Sequence, residues 1–371
     1  MRVVYSTFAG RYADSPRALY EALAGRPGLE HTWLADPTGR HRIPAGIDQV
    51  PYGTAAGLAA LEQADVVISN DHLDLDWDKR PDAVYLQTWH GTPLKRIHHD
   101  VLWAPPGRLP RLDRDIARWD LLLSPNPVST DRMRRAFGFG GEVLETGLPR
   151  NDALSDDRGD RIRAAARAEL GIPDGVTAVL WTPTWRDDLV LGGGPGADFG
   201  LQLDPADFSA RLGADHVLLL RLHSLVTGRP ELPDGPVRDV SGWSDVRDLY
   251  LAADVMVTDY SSTMFDFAVT GKPLIFFAYD LDDYRDRVRG FYFDLAPVAP
   301  GPLLRTGAEV LDAVAGLDAV SARYADPYAA FRRTFCPLDD GHATARVLDR
   351  LFPPGAGAGS PTEAGARHVA S

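Results

Sequence analysis

The sequence predicts an α/β protein built from two doubly wound parallel sheets. Short apolar segments rich in Val, Leu and Ile recur along the chain and are separated by segments of helical character. Within them, apolar and polar residues do not alternate, which is typical of strands buried on both faces of a parallel sheet. The length of 371 residues suits two domains better than one.

The strands form two series. Five are predicted in the first half of the chain, in MRVVYSTF, HTWLA, ADVVIS, AVYLQTW and DLLLS. Four more follow in TAVLWTP, DHVLLLRLH, DVMVTDYS and PLIFFAY. Helices are predicted between them over residues 15–24, 54–64, 160–170, 244–252 and 263–270. Strand and helix alternate often enough to indicate doubly wound sheets, and no internal sequence repeat is recognised.

A polar stretch, GLPRNDALSDDRGD, marks the boundary between the two halves. We expect a Rossmann-like domain over residues 1–150 and a second over 151–352, which ends in helices near 308–316, 319–333 and 341–352. Residues 353–371 are rich in Gly, Ala and Pro and are predicted to be disordered. The two domains should face each other across a cleft, with ligands beyond the carboxyl ends of the strands.

Composition excludes several classes of protein. The net charge of −13 argues against a nucleic-acid partner, and the single cysteine, Cys336, excludes an intrachain disulfide. No apolar run approaches the length of a membrane-spanning helix, and the first residues lack the pattern of a signal peptide, so a soluble protein of a reducing compartment is expected. Frequent aspartates make chance acidic clusters common, so no metal and no cofactor are assigned.

The strand AVYLQTW ends in the segment His90-Gly91-Thr92-Pro93, which places His90 where ligands bind. An imidazole there can take the proton of an attacking hydroxyl. A core histidine bonded to a backbone carbonyl is an equal alternative from position alone. Pro93 could open a helix.

Three strand ends of the second half carry groups suited to phosphate. In LLLRLHS, Arg221 and His223 share one face if the strand persists. In VMVTDYSS, Ser261 or Ser262 can cap the following helix, whose free N–H groups attract an anion. In VLWTPTWRDD, Thr182 and Arg186 can hold phosphate. The alternatives are a surface arginine, a capping histidine and an ordinary capped helix.

Taken together, these segments resemble the CDP-glycerol glycerophosphotransferase family, the wall teichoic acid primases and polymerases. The resemblance covers about residues 84–352. The segments that carry it, in this order, are TWHGTPLKRI, ARWDLLLSPN, GLPRND, TPTWRDD, LLRLH, TDYSSTMFDFAVTGKP, FFAYDLDDY and RGFYFDL. It implies the GT-B arrangement of two Rossmann-like domains, with the donor nucleotide in the C-terminal one and no metal requirement.

The resemblance also implies roles for individual residues. His90 matches the proposed catalytic base, and His223, Asp259, Ser261 and Ser262 match positions near the donor pyrophosphate. We add Thr182, Arg186 and Arg221 to the predicted donor site. Residues at the acceptor side or the domain junction are predicted to be Thr92, Lys95, Arg150, Asn151 and Asp152.

The expected reaction is transfer of glycerol phosphate from CDP-glycerol to a hydroxyl of a polyanionic glycerol-phosphate acceptor, with release of CMP. Alternatives are transfer of ribitol phosphate from CDP-ribitol, a GT-B glycosyltransferase using a nucleotide sugar, and a non-catalytic nucleotide-binding module. The sequence does not distinguish a primase from a polymerase.

One block of the chain is basic although the protein is acidic. Between Lys79 and Arg135 there are 11 Lys and Arg against 6 Asp, a local charge of +5. We therefore predict reversible attachment to the anionic inner face of the cell membrane, with Trp103 and Leu109 as interfacial groups. Pairing of these arginines with neighbouring aspartates is the alternative.

Overall fold

The computed structural model describes residues 1–39, 41–184, 201–223 and 231–353, and these residues form two compact units. The first unit contains Met1–His90, Pro106–Asp152 and the described part of Leu338–Ser371. The second contains Gly91–Pro105 and Ala153–Pro337. Each unit has its own parallel sheet, so the predicted α/β class with two doubly wound units is confirmed.

The first sheet has seven parallel strands in the order β3-β2-β1-β4-β5-β6-β7. The strands are β1 Arg2–Ser6, β2 Glu30–Ala35, β3 Gln49–Pro51, β4 Val66–Ser69, β5 Val84–Gln87, β6 Leu121–Ser124 and β7 Glu142–Glu145. The main helices of this unit are α1 Asp14–Leu23, α2 Ala55–Gln63, α3 Arg108–Ile116 and α4 Pro127–Phe137. The winding direction changes between β1 and β4, which is the point where such sheets bind ligands.

Local sequence explains where these elements lie. All four residues of β4 and of β6 are buried, as expected for inner strands with helices on both faces. Thr54 caps α2, since its hydroxyl accepts the N–H of Gly57 at 3.3 Å. Gly138 ends α4 in the left-handed conformation that glycine adopts without strain.

The second sheet has six parallel strands in the order β10-β9-β8-β11-β12-β13, with the change of direction between β8 and β11. The strands are β8 Thr177–Thr182, β9 His216–Leu220, β10 Val237–Asp239, β11 Val255–Thr258, β12 Leu274–Phe277 and β13 Leu303–Leu304. The helices are α5 Asp152–Ser155, at the unit boundary, then α6 Arg158–Glu169, α7 Pro205–Leu212, α8 Val246–Ala252, α9 Thr263–Val269, α10 Leu281–Asp283, α11 Gly307–Ala315 and α12 Leu317–Phe335.

Two apolar clusters cover the two faces of this second sheet. Along β8, Leu180 lies in one cluster, whereas its neighbours Val179 and Trp181 lie in the other. Successive side chains of a strand point to opposite faces, so both faces are buried. This arrangement explains the continuous apolar runs of the sequence.

The predicted domain boundaries need two corrections. The last helix, α13 Ala343–Leu351, packs on the first unit, because Val347 and Leu351 enter its core beside Leu19. The segment Gly91–Pro105 belongs to the second unit, so the first domain is not continuous from residue 1 to 150. Residues beyond 353, the predicted tail, lie outside the described residues.

The helix that Pro93 could open does not form. The next helical segment after Pro93 is a 3₁₀ turn at His98–Asp100.

Candidate active site

His90 lies at the carboxyl edge of the first sheet, beside its switch point. It follows β5 by three residues and is half-buried. Its Nδ1 lies 2.6 Å from the backbone carbonyl oxygen of Asn70, the residue that follows β4. A carbonyl oxygen only accepts hydrogen bonds, so Nδ1 must carry the proton. In the neutral imidazole, Nε2 then holds the lone pair and can accept a proton.

Aromatic side chains and strained backbone surround this imidazole. The ring of Trp89 stacks on it at 4.2 Å between centroids, and Phe8 meets it edge-on at 5.3 Å. Phe8, Ala9 and Trp89 have φ of 43°, 56° and 53°, in the left-handed region that residues with a side chain rarely adopt. Such strain persists only where surrounding contacts impose it, and it concentrates at functional sites.

The loop after β1 is fixed at both ends. Its Phe8 N–H donates to Oδ1 of the buried Asn70 at 3.2 Å. Gly10 (φ 128°) approaches the end of β2 so closely that a Cβ would lie 1.9 Å from the backbone nitrogen of Asp36. Only glycine fits there, and the loop is held against both strands that flank β1.

The equivalent edge of the second sheet gathers hydroxyl groups. Thr182, the last residue of β8, is buried, and its Oγ1 lies 3.0 Å from that of Thr258 and 3.2 Å from that of Thr263. Thr258 ends β11, and Thr263 begins α9. Thr182 therefore ends its strand, as predicted, and lies at the switch point of the sheet, where its hydroxyl already has protein partners.

Asp259 organises the loop that leaves β8. Its carboxylate accepts the N–H of Thr184 at 2.9 and 3.0 Å and the hydroxyl of the same residue at 2.5 Å. Oδ1 also accepts the N–H of Tyr260 at 2.5 Å. Asp259 is 3% exposed, and converging donors of this kind stabilise a buried carboxylate. It thus acts mainly on protein groups that shape the site.

Ser261 and Ser262 stand at the start of α9 and are half-buried. The Ser261 hydroxyl accepts the N–H of Thr263 at 3.4 Å, a long bond, whereas Ser262 makes no side-chain cap bond. The predicted cap is thus weak and comes from Ser261.

Arg221 and His223 follow β9, which ends at Leu220, so the expected common strand face does not form. One nitrogen of Arg221 donates to the carbonyls of Val240 and Trp243 at 3.2 and 2.8 Å, which ties the strand end to its neighbouring loop. His223 is exposed. Arg186 lies outside the described residues.

Arg150 has a structural partner inside the first unit. It forms a buried ion pair with Asp14 at 2.7 Å, and the two side chains are 5% and 6% exposed. Asp14 is the first residue of α1 and has a φ of 62°. The contact therefore fixes the start of α1 from the end of the first unit's main segment.

The two residues after Arg150 hold the C-terminal helix. The Asn151 amide donates to Asp339 at 3.0 Å. The Asp152 carboxylate accepts the N–H groups of Ala343 and Thr344, at 2.9 and 2.8 Å, and so caps α13. A carboxylate at a helix start satisfies free donors and complements the helix dipole. The structure gives these predicted junction residues an anchoring role.

Thr92 and Lys95 belong to the second unit. Lys95 forms an isolated antiparallel bridge with Phe291, and next to it Arg96 N–H donates to the Gly290 carbonyl at 3.0 Å. Thr92 is buried. Within the second unit, the segment that follows His90 is thus attached to the RGFYFDL segment.

Sequence reasoning missed several residues of both sites, chiefly Asn70, Gln87 and Thr258. Each stands at or directly after the end of an inner strand, a position that the sequence predictions used for His90 but did not apply to every strand. That pattern was sufficient to find them.

Comparison with known proteins relates this chain to one family of transferases. The family model described as CDP-glycerol:poly(glycerophosphate) glycerophosphotransferase matches residues 1–353. A teichoic acid glycerol-phosphate transferase of Staphylococcus aureus is 37% identical, over 94% of this chain and 92% of its own length. A teichoic acid poly(glycerol phosphate) polymerase of Bacillus subtilis is 34% identical over 94% of this chain, which spans only 48% of that longer relative.

Solved structures give the same relationship. The wall teichoic acid polymerase TagF superimposes with a TM-score of 0.85 at 34% identity, over 94% of this chain and 87% of that one. A UDP-GlcNAc 2-epimerase of Neisseria meningitidis, at 14% identity and a TM-score of 0.56, shares the fold alone. Among the described residues, no helix combines the length and the apolar character needed to cross a membrane.

Proposed function

Since this chain belongs to the CDP-glycerol:poly(glycerophosphate) glycerophosphotransferase family, we propose that it transfers glycerol phosphate from CDP-glycerol to a hydroxyl of a glycerol-phosphate acceptor in teichoic acid synthesis. The observation that carries the proposal is the fixed imidazole of His90 at the switch point of the first sheet. Its Nδ1 is held by the Asn70 carbonyl, so Nε2 is the basic atom.

In the proposed reaction, an acceptor hydroxyl oxygen attacks the β-phosphorus of CDP-glycerol. The bond between that phosphorus and the bridging oxygen breaks, and CMP leaves with the bridging oxygen. The proton of the hydroxyl passes to Nε2 of His90. Positioning and electrostatic stabilisation supply most of the catalysis in phosphoryl transfer, so one base and an anion-stabilising site are sufficient.

The donor site is proposed at the switch point of the second sheet. Thr182, Ser261 and Ser262 provide hydroxyl groups there, and Asp259 shapes the loop after β8. Arg186, two residues after Thr184 in the sequence, remains a proposed phosphate ligand. Arg221 and His223 are proposed to approach the pyrophosphate.

Turnover of defined donors tests the proposal. Purified protein is incubated with a lipid-linked glycerol-phosphate acceptor and one donor at a time, and CMP or UDP release is measured. We expect CMP from CDP-glycerol at a rate well above that from CDP-ribitol, and no UDP from a UDP-sugar. Release from CDP-ribitol or a UDP-sugar in place of CDP-glycerol would replace the proposed reaction with one of the alternatives.

We also propose reversible attachment to anionic membrane at the inner face of the cell membrane, through α3. Arg108, Arg111 and Arg114 follow each other at intervals of three and are exposed, so they lie on one side of the helix. Arg111 pairs with Asp74 at 2.9 Å, whereas Arg108 and Arg114 pair with no carboxylate of the described residues. Each free cation near an anionic surface contributes about 1 kcal/mol.

Co-sedimentation with liposomes containing phosphatidylglycerol tests this attachment at low and high salt. We expect binding at low salt, loss of binding at high salt, and weaker binding of the Arg108→Glu/Arg114→Glu protein. The control is Arg323→Glu/Arg333→Glu, which makes the same charge change on the exposed side of α12. Equal binding of both variants and the parent protein would remove α3 from the interaction.

A further inference from the structure

Gln87 is a buried amide placed between the two backbone segments that hold His90. It is the last residue of β5 and is 0% exposed. Its Oε1 accepts the N–H of Trp89 at 2.9 Å, and its Nε2 donates to the Asp71 carbonyl at 3.1 Å. Trp89 directly precedes His90, and Asp71 directly follows Asn70, whose carbonyl accepts the hydrogen bond from His90 Nδ1.

We propose that Gln87 is a positioning residue that fixes both the orientation and the tautomer of His90. The proposal rests on the proposed function for the role of His90 and deepens it. Among the described residues, no hydrogen bond joins Gln87 to the imidazole. It acts through Trp89 on one side and through the Asn70–Asp71 backbone on the other, so that Nδ1–H stays on the carbonyl and Nε2 stays basic.

The first of the two Gln87 hydrogen bonds holds a strained residue. Trp89 has a φ of 53°, which costs free energy for a residue with a side chain, and its ring stacks on His90. The bond from its N–H to Gln87 compensates for that strain. Without it, Trp89 would relax toward an ordinary conformation and carry the stacked imidazole with it.

The second hydrogen bond holds the turn that carries the Asn70 carbonyl, which selects the tautomer. The Asp71 carbonyl accepts from Gln87 and also from the Ser69 hydroxyl at 2.7 Å, so the turn after β4 is fixed from two sides. The neighbouring Asn70 carbonyl then points at Nδ1. If this turn shifted, the imidazole could lose its Nδ1–H bond and place the proton on Nε2, where it would block proton transfer.

Two variants separate the effects of the two Gln87 hydrogen bonds. Gln87→Met has a similar volume and removes both hydrogen bonds. Gln87→Glu keeps an acceptor for the Trp89 N–H and removes the donor to Asp71. The matched control is Gln63→Met, the same change at an exposed position at the end of α2. Each variant is checked for folding by its thermal transition.

The experiment combines kinetics with a direct measurement of the tautomer. For Gln87→Met we expect kcat for CMP release to fall about 10- to 100-fold, with KM for CDP-glycerol unchanged, because misplacement of a reacting group by about 1 Å costs up to that much. Gln87→Glu should be intermediate, and Gln63→Met should match the parent.

The nitrogen-15 NMR shifts of labelled histidine report the tautomer at pH 8.5 without substrate, with the His90 signals identified by their loss in His90→Asn. We expect Nδ1–H in the parent and a mixture or Nε2–H in Gln87→Met. Should that variant fail to fold, Gln87→Glu decides by the same two measurements.

An unchanged tautomer and an unchanged kcat in the folded Gln87 variant would overturn the proposal. So would a fall in kcat with the tautomer unchanged, because Gln87 would then act by another route. The NMR result does not depend on turnover, so it remains decisive even if His90 proves not to be the base.

Discussion

The two switch strands, β4 in the first unit and β11 in the second, are built alike at their amino ends. An aspartate precedes each strand, Asp65 in one and Asp254 in the other. Each aspartate donates its own N–H to a carbonyl of the adjacent first strand and accepts the N–H of the same residue with its carboxylate. The partners are Arg2 in β1 and Ala178 in β8. Both sheets therefore set the register of this strand pair with the same contact.

At their carboxyl ends, the same two strands are each followed by a residue whose side chain accepts a backbone N–H, but one of these residues is neutral and the other is acidic. The residue after β4, Asn70, accepts the N–H of Phe8, and the residue after β11, Asp259, accepts the N–H of Thr184. Phe8 and Thr184 each stand two residues beyond the first strand of their sheet. The backbone carbonyl of Asn70 accepts from His90 Nδ1, whereas the carboxylate of Asp259 also accepts the Thr184 hydroxyl and the Tyr260 N–H. The carboxylate therefore gathers more donors than the neutral amide does.

Replacing His90 separates the roles of the two edges most strongly. In His90→Ala we expect turnover to fall about 10²- to 10⁴-fold, the usual effect of losing a general base, because no other group would take the proton. CMP affinity should not change, since the donor is proposed to bind at the other edge. CMP release and calorimetric titration with CMP measure the two quantities.

The matched control for this change is His31→Ala. His31 is another half-buried histidine of the first unit, and it contacts the Tyr5 hydroxyl at 3.0 Å. It should keep near-parent turnover. If His90→Ala also kept near-parent turnover, the first edge would not hold the base.

Removing the charge of Asp259 should weaken the second edge. In Asp259→Asn, one oxygen becomes an amide that faces donors, so the bonds to Thr184 and Tyr260 are partly lost. Hydrogen bonds to a charged group are worth about 1.5–3 kcal/mol, so we expect CMP affinity to fall about 10- to 100-fold. Calorimetry with CMP checks this.

A double-mutant cycle with Thr184→Val tests whether the effect passes through that loop. Coupling between the two changes supports the route, because residues in one hydrogen-bond network are not additive. Strict additivity would mean that Asp259 affects CMP without the loop.

The reverse exchange, Asn70→Asp, should cost stability at the first edge. The new carboxylate can still accept the Phe8 N–H. It replaces an amide nitrogen that is buried and has no hydrogen-bond partner among the described residues, so the change buries a charge without a matching donor. We expect the free energy of unfolding to fall by about 1–3 kcal/mol, measured by urea titration. If the Asn70→Asp protein were as stable as the parent, an aspartate would be as acceptable after β4 as it is after β11.

The inner strands could be predicted from the sequence, and the edge strands could not. The nine predicted strands correspond to β1, β2, β4, β5, β6, β8, β9, β11 and β12. The four that were missed, β3, β7, β10 and β13, are the outermost strands of their sheets. They have two to four residues and are largely half-buried or exposed, so they lack the apolar run that burial on both faces imposes.

For the sites, the sequence predicted that Thr182 ends a strand and that His90 lies just beyond one, as they do, but it did not predict their side-chain partners. Arg150 and Asp152 are polar residues in a motif, and nothing in the sequence pattern indicates that Asp14 and α13 satisfy them. Those partners lie more than 100 residues away, and only the fold brings them together. Position along a strand is a local property, whereas pairing is not.

The amino ends of the two switch strands differ in a neighbouring lysine, whose effect pH can test. Asp65 pairs with Arg80 at 3.0 Å, and Asp254 pairs with Arg163 at 2.6 Å and with Arg167 at 3.1 Å. Burial alone would raise the pKa of Asp254, but the Ala178 N–H and Arg163 hold it below its usual value. Lys272 lies nearby and donates to the carbonyls of Tyr250, Leu251 and Ala253 at the end of α8.

Burial, and then the charge of Arg163, lower the pKa of Lys272 to about 8. Between that value and the ordinary pKa near 10.5, the unfolded chain holds a proton that the folded chain does not. Stability from this group therefore rises with pH in that window, at most by about 1.4 kcal/mol per pH unit and by less because the side chain is partly exposed.

Urea unfolding at pH 7.5 and 9.5 should show the parent gaining stability relative to Lys272→Met by about 1 kcal/mol. Arg80, which pairs with Asp65 at the amino end of β4, supplies the control, since Arg80→Met should leave that pH difference as it is in the parent. A difference in the free energy of unfolding between the parent and Lys272→Met that stays constant with pH would mean that Lys272 remains charged over this range, held by its three carbonyls. The amino end of β11 would then respond to pH no more than that of β4 does.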